Sequence, residues 1–230
     1  MRRRLVQGVA VVLVLASNAA CSQRRAMSIT DAVPSASAAS AEDEKSIHHP
    51  TAAQRALGIY QPYSDADINF LTSMIPHHAQ AVIMANWAPT HGARRDIAIL
   101  CERIVVGQAD EIFWMQEWLR DRSQPVPDGK STKMRIIMNG MEHDMLMPGM
   151  LTDEEMAELD KARGPEFDRL FLRGMIKHHQ AAIEMVNDLF KAYGGAQDDM
   201  LYRFASDVFA DQSIEIEVMG KMLESVDSSR

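Results

Sequence analysis

Two stretches of the chain, DINFLTSMIPHHAQAVIMA and DRLFLRGMIKHHQAAIEMV, align without a gap, and this duplication constrains the fold more than any other feature. Asp67, Phe70, Leu71, Met74, Ile75, His77, His78, Ala81 and Met84 recur in the same order as Asp168, Phe171, Leu172, Met175, Ile176, His178, His179, Ala182 and Met185. A second block follows each stretch, in which Gln108, Glu111, Ile112, Met115 and Leu119 recur as Gln212, Glu215, Ile216, Met219 and Leu223. All four segments carry apolar residues at intervals of three and four and lack the alternation of a strand, so each reads as a long amphipathic helix. Breaks fall at Pro89 to Gly92 and at Tyr193 to Gly195, where a helical hairpin must turn. Each hairpin exposes an apolar stripe that needs cover. Packing the two together gives an all-α four-helix bundle built from a duplicated hairpin.

The helix boundaries have local causes. Ser64 in SDAD supplies an N-cap with an acid at the third helical position, and Thr152 with Glu155 repeats the pattern at the start of a short extra helix. Pro76 lies inside the first helix and should kink it, whereas its counterpart Lys177 carries no such cost. Between the hairpins, from about Ser123 to Arg163, runs a Met-rich connector in which Met134, Met138, Met141, Met145, Met147 and Met150 surround His143. With Gly140, Pro148 and Gly149 in it, this connector reads as a loop lying over the bundle.

The first residues carry Arg2, Arg3 and Arg4, an apolar run from Leu5 to Ala16, and small residues leading to Cys21, which is the pattern of a bacterial export signal over residues 1–21. Ala19, Ala20 and Cys21 resemble a lipobox, in which the cysteine is lipidated, although Asn18 stands where an apolar residue is usual. The expected location is extracytoplasmic: the cell envelope, periplasmic or secreted, with any membrane attachment through a lipid on Cys21. Residues 22–60 are rich in Ala and Ser and read as a flexible tether that carries His48 and His49, leaving 61–226 for the bundle domain. With 32 acidic against 24 basic residues, the net charge of −8 gives no electrostatic basis for binding nucleic acid.

Two cysteines cannot build a thiolate cluster, so metal chemistry would need other ligands, and Met occurs 17 times. At about 100° per residue, Met74, His77, His78, Ala81 and Met84 share about a third of the helix circumference, as do Met175, His178, His179, Ala182 and Met185. Neighbouring histidines differ in direction, so one of each pair is expected to point inward and the other to sit at the rim. Imidazole with thioether suits copper, as Cu(I) or Cu(II), better than zinc. Gln108, Glu111, Gln212 and Glu215 are the natural partners of the rings. A di-iron site would need Glu-x-x-His twice, and Met74, Ile75, Met175 and Ile176 occupy the positions where the carboxylates would stand. Phosphate loops and nucleophile elbows are missing too, so no enzyme is expected; an oxidoreductase using a bound metal is a third reading.

MIPHHAQAVIMA, MPGMLTDEEMAEL, FDRLFLRGMIKHHQAAIEM and the paired Gln-x-x-Glu segments resemble the bacterial family known as domain of unknown function 305, from about Asp65 to Leu223. The resemblance implies an exported, ferritin-like four-helix bundle, with copper binding in some members. Carried over, it points to His77, His78, Met74, Met84, His178, His179, Met175 and Met185, with His143, Met141, Met145, Met147 and Met150 in the connector. Ile83 departs from the pattern that the second half keeps at Glu184. The expected function is sequestration or transfer of copper, with an envelope copper-handling protein as partner. The alternative is a metal-free helical interaction module whose Met-rich surface recognises a partner.

Overall fold

The computed structural model describes Asp43 and residues 45–138 and 141–228. The export signal, Cys21 and most of the tether lie outside the described residues. Four long helices form two antiparallel hairpins: α2 (Asp65–Asn86) with α4 (Arg95–Asp121), and α6 (Pro165–Lys191) with α7 (Asp199–Asp227). A one-turn helix α3 (Ala88–His91) makes the first corner, and α5 (Asp153–Lys161) is the short helix before α6. The fold is the expected all-α bundle, and α2 against α6 joins its halves.

The ends form as the sequence dictates. Ser64 and Asp67 make a reciprocal capping box on α2, as Thr152 and Glu155 do on α5. At the second corner Gly194 has φ +69°, and a Cβ at Gly195 would lie 2.2 Å from the Leu189 carbonyl oxygen, so the YGG sequence is required there. The chain stays helical through Pro76, with no break in α2.

The duplicated aspartates explain their own recurrence. Asp67 of the first hairpin accepts a 2.6 Å hydrogen bond from the Ala196 N–H at the corner of the second. Asp168 of the second hairpin accepts one of 3.1 Å from the Arg94 N–H at the corner of the first. Each hairpin therefore holds the other's turn. Burial raises the pKa of both carboxyls, and the hydrogen bonds they accept oppose that rise.

Two expectations need correction. Residues 47–60 do not behave as tether: β1 (Ile47–His48) pairs antiparallel with β2 (Tyr63–Ser64), and α1 (Ala52–Ala56) lies between them with its own Thr51 cap. His48 is held 2.6 Å from Asp65 and stacks on Tyr63, so it belongs to the folded unit. The connector, expected as a loop, contains a β-hairpin of β3 (Met134–Met138) and β4 (Met141–Met145). The backbone polar groups of these ten residues are satisfied more readily in a two-stranded ladder than in a lid without regular structure.

The core is divided. One apolar cluster holds Phe70, Met74, Met115, Ala182 and Val208, and the other holds Ala81, Met84, Met175, Phe171 and Met219. Between them the four long helices place polar residues on the bundle axis, and that layer is where chemistry can occur.

Candidate metal centre

Four imidazoles occupy the layer between the two apolar clusters. His77 and His78 come from the middle of α2, and His178 and His179 from the middle of α6; all four are fully buried. The inward-and-rim expectation is therefore wrong. Each of these helices has two neighbours, one across the bundle and one in its own hairpin, so two adjacent directions on its surface are both interior. His77 meets His178 across the bundle with ring centroids 3.7 Å apart. His78 turns instead toward α4 and His179 toward α7. Nε2 of His179 donates a 2.7 Å hydrogen bond to Oε2 of Glu215. In the other half, Nε2 of His78 stands 2.8 Å from Oε2 of Glu111 but out of line for a hydrogen bond. The within-pair ring separations of 6.3 and 6.2 Å keep the duplication at the level of side-chain geometry.

This layer is costly as it stands. Among the four rings only Nε2 of His179 makes a well-aligned hydrogen bond; the nitrogens of His77, His78 and His178 are buried without one, the Pro148 carbonyl near His77, the His77 carbonyl near His178 and the Glu111 carboxylate near His78 being out of line, and Oε1 of Gln108 and of Gln212 is likewise buried without a hydrogen bond. Each such group forfeits about 1–3 kcal/mol of hydration. Burial drives His77 and His178 well below their ordinary pKa, and the neighbouring histidines push the same way, with the Pro148 carbonyl opposing at His77. Neutral imidazole with free nitrogen lone pairs is the form that binds a metal.

The connector seals one side of the layer. Gln80 on α2 clasps the Leu151 backbone twice, donating to its carbonyl at 2.9 Å and accepting from its N–H at 2.7 Å. Gly149 has φ +74° and packs so closely on α6 that an added Cβ would sit 2.3 Å from that of Ala181. Met147 and Met150 are buried in this clasp, and the sulfur of Met150 accepts from the Met147 N–H at 3.3 Å. These two are engaged in packing.

The other thioethers separate into groups. Met74 and Met175 stand one helical turn before the histidines of their own helices, fully buried on opposite sides of the layer. Met84 is equally buried but lies almost two turns beyond His77 in the second cluster. Its counterpart Met185 is only partly buried, beside Phe70 and Ser73 on an outer groove. In the β-hairpin Met141, His143 and Met145 alternate onto one face of β4, and all three are exposed. The structure therefore brings four histidines to one layer, sets Met74 and Met175 in the apolar clusters on either side of it, and leaves the hairpin residues apart from it. Among the described residues, no group of three or more His, Cys, Asp or Glu side chains stands preassembled as a closed cation site. Cys101 is buried and its thiol is pushed up to about 12 by that burial, which makes it a packing residue.

On the side away from the connector, α4 and α7 leave a cleft of about 250 Å³ lined by Arg103, Gly107, Gln108, Glu111, Asp211, Gln212 and Glu215. Burial raises the Asp211 pKa, and Glu111 and Glu215 push it the same way.

The sequence pattern of the domain of unknown function DUF305 matches residues 67–223, most of the chain. The chain belongs to the DUF305 family. A DUF305 fragment from Deinococcus radiodurans shares 26% identity, covers 72% of this chain and 99% of its own, and superposes with a TM-score of 0.59. A DUF305 protein of Streptomyces coelicolor assigned as secreted has the same fold at 24% identity, covering 70% of this chain and 94% of its own, with a TM-score of 0.59. CopM in its Cu(I)-bound form is 26% identical over 69% of this chain and 96% of its own, with a TM-score of 0.53, and CopM also exists in Cu(II)-bound and Ag-bound forms. No curated protein matches. A DUF305 bundle thus has the fold of a protein that takes up copper in both oxidation states. Among the described residues no helix is long and apolar enough to cross a membrane.

Proposed function

We propose that this DUF305 protein binds copper outside the cytoplasm and stores it or hands it on without catalytic turnover, using the buried imidazole layer as its principal site. The observation that carries this reading is the set of ring nitrogens of His77, His78 and His178 that are buried without a well-aligned hydrogen bond. A fold kept for stability alone would replace them with apolar residues or pair them. His77, His78, His178 and His179 would hold the ion, with Met74 and Met175 as soft donors for Cu(I). Glu111 and Glu215 orient the outer rings and supply negative charge. Met84 and Met185 fill core and groove. Likeness to CopM, a copper- and silver-bound protein, supports the choice of metal.

In the same reading, the exposed face of Met141, His143 and Met145 is a second, weaker site, because its donors must lose side-chain entropy to close on an ion. A lipid on Cys21 would anchor the protein to the envelope membrane, where a copper-handling partner would meet it. The test is titration of the purified protein with Cu(I) under a competing chelator. Uptake that survives the competitor, with nitrogen-dominated coordination in X-ray absorption, is expected. Failure to compete at all, or coordination by sulfur alone, would overturn the assignment.

A further inference from the structure

An ion bound among four buried rings must have a way in. Toward the connector the layer is shut: Gly149 lies against Ala181 and the Lys177 carbonyl, Gln80 clasps Leu151, and the Pro148 carbonyl sits beside His77. Along the bundle axis it is capped by the two apolar clusters. Among the described residues, the cleft between α4 and α7 offers an approach. It sets the carboxylates of Asp211, Glu111 and Glu215 against the single cation Arg103 among its lining residues, with Asp211 exposed at the mouth. Deeper in it lie Gln108 and Gln212, each at most 5% exposed, whose Oε1 atoms have no hydrogen-bond partner. Glu111 and Glu215, partly exposed, also reach His78 and His179 and so join the cleft to the layer.

The repeat shows how this opening arises. Gly107 and Asp211 immediately precede the duplicated glutamines and so occupy the same position in the two halves. One half removes its side chain and the other places a charge. A Cβ on Gly107 would meet nothing within 4 Å, so the glycine keeps the cleft open without any steric or conformational demand of its own backbone.

We propose that the α4/α7 cleft is the route by which a hydrated metal cation reaches the imidazole layer. Asp211 draws the ion to the mouth, and the carbonyl oxygens of Gln108 and Gln212 replace part of its water shell before the rings take it. The chemistry is that of charged and neutral oxygen donors lining one path, followed by nitrogen. The inference rests on the copper reading above, and the experiment separates the two.

Aqueous Cu(II) is mixed with the full chain in a stopped-flow instrument, and quenching of the indoles of Trp87, Trp114 and Trp118 reports uptake. Asp211→Lys should slow uptake by roughly tenfold or more and abolish its dependence on ionic strength. Gly107→Phe, which plugs the cleft without changing charge, should slow uptake while the salt dependence persists. Both variants should bind as much copper at saturation as the parent. Glu154→Lys, the same kind of charge change on exposed α5, should leave the rate within about twofold, the small effect expected of a distant screened charge. Parent-like rates in both cleft variants would overturn the route while leaving the site standing. Equal slowing by Glu154→Lys would reduce the effect to net charge and would also overturn it. Absence of Cu(II) uptake by the parent would overturn the route for a hydrated ion, and absence of Cu(I) uptake under the competing chelator as well would overturn the copper reading itself.

Discussion

The imidazole layer and the Met-rich β-hairpin contain the same kinds of donor in opposite physical states. In the layer, four rings are held by two packed helices and are cut off from water, so the cost of ordering ligands is met when the protein folds. In the hairpin, Met141 is 61% and Met145 43% exposed, and their rotamers are fixed only when something binds. Preorganisation therefore separates a site that changes the stability of the whole fold from one that merely adds capacity. The layer makes the apo protein worse and the metal-bound protein better; the hairpin should do neither to any large extent.

Acid should break the comparison most strongly. His77 and His178 have pKa values well below the ordinary 6.5 in the folded state, so below about pH 6.5 the unfolded chain binds more protons than the native one. Stability is fully present above that pH and is lost as pH falls toward the folded pKa values. Each ring contributes up to about 1.4 kcal/mol per pH unit, and denaturant titrations of apo protein between pH 7 and 5 should show the loss. A flat profile over that range would mean that the rings are solvated or paired.

Copper should produce the next largest difference. At a hundredfold excess over Kd the bound ion adds about 2.7 kcal/mol, which raises Tm by about 5–10 °C in a chain of this size. His78→Ala with His179→Ala should remove most of that rise. Met141→Leu with Met145→Leu, keeping apolar volume while deleting sulfur, should preserve the rise and lower the number of ions bound at saturation. If the leucine variant loses the thermal shift and the alanine variant keeps it, the hairpin is the principal site.

A smaller effect sharpens the boundary between connector and hairpin. Met147 and Met150 lie in the seal and are buried, so Met147→Leu with Met150→Leu should cost less than about 1.5 kcal/mol of stability and leave copper stoichiometry unchanged. Loss of an ion in this variant would move the seal into the metal site.

The sequence carried the bundle because long helices with a repeated apolar period leave few other ways to bury their stripes. The caps at Ser64 and Thr152 were equally legible, being set by neighbours three residues apart. The direction of the second histidine of each pair was not, because a helical wheel knows angles but not how many neighbours a helix will have. Asp67 and Asp168 were visible as repeated residues, yet their grip on the opposite hairpin's corner spans the whole chain. The β-hairpin did leave a local signal: Asn139 and Gly140 separate two runs of suitable length, a dipeptide favoured in two-residue turns, and the methionine content drew attention away from it. Residues 47–60 were misread because a two-residue strand has too little pattern to stand out from an Ala- and Ser-rich background. The cleft could not be read at all, since Gly107 and Asp211 acquire meaning only when α4 and α7 face each other.

The claim that the layer exists for a metal is tested most directly by thermal denaturation of His77→Leu with His178→Leu, with and without Cu(I). Leucine removes unpartnered ring nitrogens from the place where His77 and His178 meet, and replacing buried unsatisfied groups by apolar ones of similar size is neutral or favourable. The apo variant should melt at or above the temperature of the parent, and Cu(I) should no longer raise it. An apo variant that melts several degrees lower and still responds to Cu(I) as the parent does would show that the rings serve the fold and that the ion binds elsewhere.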